Sequence, residues 1–367
     1  MRRMALSNRV ALLVVLKDKE EVNINEMKGL IEALGGKVVS VVSQRRKAFY
    51  PATYVGRGKI EELRRTAEIK GADTVVVYHN VTPSQIGNIE SYTGLKVRDR
   101  SEIIMDIFAE RARTKEAKLQ VELAMCVHSL SKLRGKGKEL SRLGGGIGTR
   151  GPGETQLEVD LRKIRRRIYK LKKEIEKVSK RKKLFIERRK KERFVTVAVT
   201  GYTNVGKSTL VKRLTGENLF IKNIPFATLD TQTGHLFLKR NKRRVLITDT
   251  VGFIKDIPHE LIASFKATLG EVEEADIIVT VYDITSPSLK EESETVEKIL
   301  SELNAANKPR ITVINKIDKT AIPVDELKFE IAGKVKNSVC PVFLSATSGE
   351  GISSFIDRLE AVVSTIN

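Results

Sequence analysis

The run Gly201-Tyr202-Thr203-Asn204-Val205-Gly206-Lys207-Ser208 constrains this chain more than any other feature. It fits G-x-x-x-x-G-K-[ST], follows the apolar stretch VTVAVT (195–200) and precedes TLVKRLTG (209–216). That is the order strand, phosphate-cradling turn, helix. The glycines let the backbone wrap so that its N–H groups face phosphate oxygens, and the helix adds its positive N-terminal end. Lys207 is then placed to bridge β- and γ-phosphates, with Ser208 placed to hold Mg²⁺. A turn of this kind needs a sheet beneath it, and the following sequence supplies one: RVLITD (244–249), DIIVTVYD (276–283), RITVIN (310–315) and VCPVFLS (339–345), mostly separated by helical stretches. The pattern predicts an α/β fold with a mostly parallel sheet flanked by helices. HLFLKRNKRRVLIT (235–248) reads as two strands around a basic turn, which adds one hairpin.

Three further motifs follow in fixed order. Asp249-Thr250-Val251-Gly252 ends the strand RVLITD about forty residues after the P-loop. A carboxylate at such a strand tip suits Mg²⁺, and the Gly252 N–H suits a γ-phosphate. Asn315-Lys316-Ile317-Asp318 ends RITVIN. A carboxylate at Asp318 is able to accept both N1–H and the 2-amino group of guanine, a donor pair adenine lacks, so a wrong base leaves a buried charge unpaired. Ser345-Ala346, after the last strand, supplies a backbone N–H for guanine O6. The nucleotide-binding set is therefore Gly201, Asn204, Val205, Gly206, Lys207, Ser208, Thr209, Asp249, Gly252, Asn315, Lys316, Asp318, Ser345 and Ala346. A magnesium-sensing threonine is expected between Ser208 and Asp249. Thr228, Thr231 and Thr233 in FATLDTQTG are the candidates, with Thr228 favoured. Thr228 also joins the nucleotide-binding set, and the metal set is then Ser208, Thr228 and Asp249.

The first half of the chain differs in character. Of 67 Lys+Arg and 46 Asp+Glu, a net +21, residues 1–193 hold 46 and 24, while residues 194–367 hold 21 and 22. The charge thus belongs to the N-terminal half, where a polyanion partner is its usual reason. Residues 1–100 read as a small α/β subdomain. Its strands are VALLVVL (10–16), KVVSVVS (37–43) and DTVVVY (73–78). Its helices are one after Asn25, one over 60–70 and one opening at Pro83, with the basic loop YVGRGK (54–59) between elements. Ser101–Leu133 has neither Gly nor Pro and predicts one long helix. The stretch 134–154 has eight glycines and one proline, so it predicts a loop. Leu157, Leu161, Ile164, Ile168, Leu171, Ile175 and Val178 then repeat at 4-3 spacing, a heptad seam. Pairing it with the preceding helix gives a long antiparallel helical hairpin. Residues 155–193 carry 18 Lys+Arg and 6 Asp+Glu. The expected domains are 1–100, 101–193 with its loop at 134–154, and 194–367.

Two cysteines, Cys126 and Cys340, make no disulfide framework or zinc spacing and fit a reducing compartment. The four histidines form no metal pattern, and Val10–Leu16 is too short to span a membrane. A soluble cytoplasmic protein is the reading.

GYTNVGKST, FATLD, DTVGF and NKID, with YVGRGKIEEL and the Gly-rich GGGIGTRGPGETQLE (144–158) ahead of them, together resemble the HflX family of translation-factor-related GTPases over nearly the whole chain. The resemblance implies Mg²⁺-dependent hydrolysis of GTP to GDP. It also implies binding to rRNA in the large ribosomal subunit and a role in ribosome splitting, rescue or biogenesis. The chain is expected to lack the C-terminal extension some members carry, as an archaeal-like form, and FATLDTQTG departs from the family's FATLDPTTR. Where Ras-like proteins place a water-orienting glutamine stands Phe253, then Ile254, which predicts slow intrinsic hydrolysis accelerated by a partner. Asn204 matches an asparagine that in some related GTPases helps hold K⁺. A monomer is expected. Lys239, Arg240, Lys242, Arg243 and Arg244 form either extra RNA contacts or a solvated turn. The other functional readings are an RNA-remodelling GTPase on naked RNA, a protein-interaction switch pairing through the heptad helix at a membrane surface, and an ATPase.

Overall fold

The computed structural model describes residues 8–18, 22–143, 152–191, 194–216, 226, 232–255, 270–336 and 340–366. The chain divides into two compact units: Met1–Glu110 with Leu119–Glu174, and Arg111–Lys118 with Ile175–Asn367.

In the first unit, four strands pair in parallel in the order β2-β1-β3-β4: β1 (Arg9–Leu16), β2 (Lys37–Arg45), β3 (Thr74–Val77) and β4 (Lys96–Asp99). Val10 to Val15 are all fully buried, as a central parallel strand covered on both faces requires. Around the sheet lie α1 (Ile24–Ala33), α2 (Arg57–Lys70) and α3 (Pro83–Thr93). Leu13, Val15, Tyr54, Leu63, Val75, Val77 and Ile89 share one core cluster.

Several boundaries move from those expected. The cap of α1 is Asn23, not Asn25, because its Oδ1 accepts from the Glu26 N–H three residues on at 2.9 Å. Arg57, Gly58 and Lys59 of the expected loop form the first turn of α2. The helix at Pro83 forms as expected, with a capping box between Thr82 and Gln85. The long helix over 101–133 is instead two helices, α4 (Arg100–Arg111) and α5 (Lys115–Leu143). Thr114 separates them by capping, its Oγ1 accepting from the Ala117 N–H at 3.2 Å. The expected loop 134–154 is also corrected. α5 runs on to Leu143, and α6 (Pro152–Lys191) starts at the proline, leaving only 144–151 outside the described residues. Gly135 and Gly137 each cost a helix about 1 kcal/mol relative to alanine, which strong helix formers on either side outweigh. Proline is well suited to a first helical position.

The heptad seam is visible in α6. Leu171 is fully buried, the other six seam positions are half-buried, and the basic residues between them are exposed. Arg167 forks onto Glu122 of α5, with Nε and Nη2 each 2.7 Å from a carboxylate oxygen. Further along α5, Lys132 meets Asp99 at 3.0 Å and Glu102 at 2.8 Å. These ties hold α5 to α6, and α5 to the β4–α4 corner.

The second unit contains a six-stranded sheet in the order β10-β9-β8-β5-β7-β6. Its strands are β5 (Val195–Gly201), β6 (Gln232–Leu238), β7 (Arg243–Asp249), β8 (Ile277–Asp283), β9 (Arg310–Asn315) and β10 (Val342–Phe343). All pairs are parallel except β6 with β7, the predicted hairpin. The described helices are α7 (Lys207–Thr215), α8 (Gly270–Glu274), α9 (Leu289–Glu302), α10 (Val324–Ala332) and α11 (Ile352–Thr365). The basic hairpin turn rests on α11. Arg240 pairs with Asp357 at 3.1 Å, its N–H donates to Glu360 at 3.0 Å, and Arg243 donates to the Ile366 carbonyl. All five basic residues of the turn, Lys239, Arg240, Lys242, Arg243 and Arg244, are exposed.

Candidate active site

The site lies at the carboxyl ends of β5, β7 and β9, where open α/β sheets bind ligands. β5 ends at Gly201, whose φ of 144° and a Cβ position only 2.3 Å from the Val281 carbonyl admit glycine alone. Gly206, at φ 98°, opens α7, and a Cβ there would lie 2.3 Å from Asn315 Nδ2. The loop between them thus passes close to β8 and β9 and leads its N–H groups into the start of α7. Asn204 stands exposed at φ 65° at the loop's crest, Val205 is buried, and Thr209 lies half-buried in the first turn of α7.

Lys207 is buried, with Nζ donating to the Tyr202 carbonyl at 2.7 Å and the Gly201 carbonyl at 3.3 Å. Burial lowers its pKa to about 8, partly opposed by the nearby Asp249 carboxylate. The ammonium is thus held inside the loop and gains a strong partner if phosphate oxygens enter. Ser208 Oγ donates to Asp249 Oδ2 at 2.6 Å, across from the tip of β7. A hydroxyl and a carboxylate side by side form an all-oxygen set that fits a hard divalent cation such as Mg²⁺.

Gly252 lies against the P-loop, its Cβ position 2.9 Å from Thr203 Cα and 3.0 Å from Lys207 Nζ. Two backbone bonds zip this segment to the loop: Thr203 N–H to the Phe253 carbonyl at 2.8 Å, and Phe253 N–H to the Gly201 carbonyl at 3.0 Å. The Phe253 and Ile254 side chains are both 1% exposed. Neither has a group able to orient water.

Asn315 is the hub of the base end. It is 2% exposed, donates from Nδ2 to the Val205 carbonyl at 2.8 Å and accepts at Oδ1 from the Ala346 N–H at 2.9 Å. One side chain thus joins the P-loop to the loop after β10. The Ala346 N–H, expected to reach guanine O6, is directed at Asn315 here. Lys316, at φ 68°, donates to the Asn204 carbonyl at 2.8 Å and meets Asp283 at 2.6 Å. Asp318 is exposed in a short 3₁₀ turn, open to a base edge. Ser345 and Ala346 are buried at the start of the last loop.

Of the threonine candidates, Thr228 and Thr231 lie outside the described residues. Thr233 belongs to β6 and shares a 3.0 Å hydrogen bond with Thr248, so it serves the hairpin. Two residues that motif reading passed over brace the site from behind. Asp283, at the tip of β8, anchors Lys316 and accepts from the Thr285 N–H and hydroxyl. Arg213, in the last turn of α7, donates to the Ala346 carbonyl at 3.2 Å and to the Thr347 carbonyl. A strand-tip acid before a turn was a weak signal for the first. No sequence pattern marks the second.

Among the described residues, no cluster of His, Cys, Asp or Glu forms another metal site, and no helix is long and apolar enough to cross a membrane. Three family models match the chain: a GTP-binding GTPase N-terminal region over 21–109, a GTP-binding GTPase middle region over 111–189, and a 50S ribosome-binding GTPase over 196–316. GTPase HflX of Caldanaerobacter subterraneus subsp. tengcongensis is 45% identical over 341 residues, covering 92% of this chain and 79% of the relative. GTPase HflX of Escherichia coli is 38% identical over 343 residues, covering 94% and 79%. Among solved structures, the complex of SsGBP with GDP aligns with a TM-score of 0.53 at 25% identity, covering 98% of this chain and 99% of that one.

Proposed function

Given that the chain belongs to the HflX family of GTPases and binds and hydrolyses GTP, we propose that it is a nucleotide-controlled switch acting on the large ribosomal subunit. Its division of labour follows the expected domains, with 1–100 and the basic hairpin 101–193 facing rRNA and 194–367 binding the nucleotide. The observation that carries this reading is the charge split: the basic excess lies entirely in residues 1–193, ahead of the nucleotide motifs. The basic residues of α6 are exposed beside a seam that is buried at Leu171 and half-buried elsewhere, a stripe suited to phosphates. In this reading the protein acts as a monomer. The family model over 196–316 bears the description of a 50S ribosome-binding GTPase. Splitting, rescue and biogenesis all require this affinity. A soluble, cytoplasmic setting follows from a ribosomal partner.

In this reading Gly201, Asn204, Val205, Gly206, Lys207, Ser208 and Thr209 take the phosphates, with Gly252 facing the γ-phosphate. Asn315, Lys316, Asp318, Ser345 and Ala346 form the guanine end. Ser208 and Asp249 would hold Mg²⁺, joined by Thr228, whose position lies outside the described residues. When bound, Mg²⁺ offsets negative charge on the β- and γ-phosphates. Lys207 neutralises part of the same charge from inside the loop. The buried Phe253 leaves water orientation to a group outside this position, so intrinsic turnover is slow and a ribosomal partner raises it. The exposed Asn204 would help hold a K⁺ ion, and equal turnover in KCl and NaCl at matched ionic strength would remove that role.

The test is co-sedimentation of the full chain with large subunits, small subunits and naked rRNA, with GDP or a non-hydrolysable GTP analogue. Binding to the large subunit that strengthens with the analogue is expected. Equal binding to naked rRNA in both nucleotide states would favour the RNA-remodelling alternative.

A further inference from the structure

The loop after β10 reads as the guanine-recognition loop, and its backbone is gripped from an unexpected direction. Its Ala346 N–H is taken by Asn315 Oδ1 at 2.9 Å. Its Ser348 N–H is taken by Ser345 Oγ at 3.1 Å, and its Gly349 N–H by the Ser345 carbonyl at 2.9 Å. The carbonyls of Ala346 and Thr347 both accept from one guanidinium, that of Arg213. Gly349, at φ 96°, brings the loop past the same group, its Cβ position 3.4 Å from Arg213 Nη1.

A trans peptide holds its C=O and N–H on opposite sides. Arg213 draws the Ala346 carbonyl to its own side, which turns the Thr347 N–H to the other. That N–H makes no hydrogen bond among the described residues. The same grip on the Thr347 carbonyl sets the Ser348 N–H that Ser345 receives. One side chain therefore orients two successive peptide planes.

Arg213 also sits at a telling place on its helix. α7 begins at Lys207, in the phosphate loop, and ends at Thr215. At about 1.5 Å per residue its nine residues span roughly 13 Å, so one rigid rod reaches from the phosphates to the base loop. Arginine suits the second task, because its fixed fork presents several donors at once, where lysine offers a point charge.

We propose that Arg213 is a positioning residue for guanine recognition, which turns the Thr347 N–H toward the base as a donor to the 6-keto oxygen. The proposal rests on the reading that Asp318 and residues 345–347 form the base end of the site. It assigns the O6 contact, at least in part, to Thr347, since the Ala346 N–H is already directed at Asn315.

The experiment measures dissociation constants of the full nucleotide-free chain for GDP, for IDP, which keeps the 6-keto oxygen but lacks the 2-amino group, and for 6-thio-GDP. The last keeps N1–H and the 2-amino group but has a weak acceptor at position 6. Arg213→Ala is expected to weaken GDP and IDP about tenfold each and 6-thio-GDP less than threefold, with kcat changed less than twofold. Arg213→Lys, which restores one charged donor, is expected to bring GDP back to within about threefold of wild type. If Arg213→Ala does not fold, Arg213→Met, which keeps the stem's packing but removes every donor, carries the same comparison of GDP with 6-thio-GDP. Equal losses for GDP and 6-thio-GDP, or no loss for GDP, overturn the role of Arg213. Failure of the wild-type chain to bind GDP overturns the guanine reading itself.

Discussion

Asn315→Ala is the substitution whose cost the structure bounds most closely. The side chain is 2% exposed and makes two hydrogen bonds, to the Val205 carbonyl at 2.8 Å and from the Ala346 N–H at 2.9 Å. Alanine removes both and strands a buried carbonyl and a buried N–H. Leaving such a group unsatisfied costs about 1–3 kcal/mol each, so the two together cost about 2–6 kcal/mol. In the proposed function, the loops they join take the phosphates and the guanine. Part of the cost is lost stability of the free protein, and part is the work a nucleotide must do to reassemble its own site. If about 2–4 kcal/mol falls on binding, GDP affinity drops roughly 30- to 1,000-fold, at 1.4 kcal/mol per tenfold. Asn315→Asp keeps the acceptor for Ala346 but sets a carboxylate against the Val205 carbonyl, so it is expected to cost at least as much. Fluorescent-nucleotide titration and thermal unfolding of the free protein measure the two portions. GDP affinity within threefold of wild type together with an unchanged melting temperature would show that Asn315 does not join the two loops.

Other predictions follow from the same geometry. Asp318→Asn should shift preference from guanosine to xanthosine nucleotides, read by competition between GDP and XDP, and no shift would revive an adenine-type site. Ribosome binding through phosphate contacts should be steeply salt-dependent, with about 6–10 contacts costing roughly 10³–10⁵ in affinity between 50 and 200 mM salt. A flat profile in sedimentation would count against the basic hairpin as the contact. Burial raises the Cys126 thiol pKa, which lowers its thiolate fraction at any given pH below that value, whereas Cys340 is exposed. Iodoacetamide at pH 8 should therefore label Cys340 well before Cys126, as peptide mass spectrometry would show, and equal labelling would contradict the burial of Cys126 beside Glu122.

The nucleotide site was legible because its motifs are local. Gly201 and Gly206 are glycines for steric reasons that hold within a few residues, and each motif ends a strand that apolar runs already mark. The heptad seam of α6 was legible for a similar reason, since periodicity records which face is buried. What escaped depends on contacts between distant segments or on competition at a single residue. Thr114 splits a run without Gly or Pro because its hydroxyl offers the backbone another partner. β4 has one apolar residue, Val97, at a sheet edge, too little for a pattern. Continuation of α5 through Gly135 and Gly137 reflects helix propagation, which a glycine count does not register. Asp283 and Arg213 act on partners 33 and 133 positions away, and no spacing rule links them. The basic hairpin turn looked free in sequence, yet Arg240 and Arg243 are engaged by α11.

In the proposed function, the basic half delivers a guanine-nucleotide switch to the large ribosomal subunit. The most direct measurement is steady-state GTP turnover by the full chain alone and after addition of purified large subunits, small subunits or naked rRNA. Slow turnover alone and a marked rise with large subunits only are expected. Turnover unaffected by large subunits, or raised equally by small subunits or free rRNA, would contradict the proposed function.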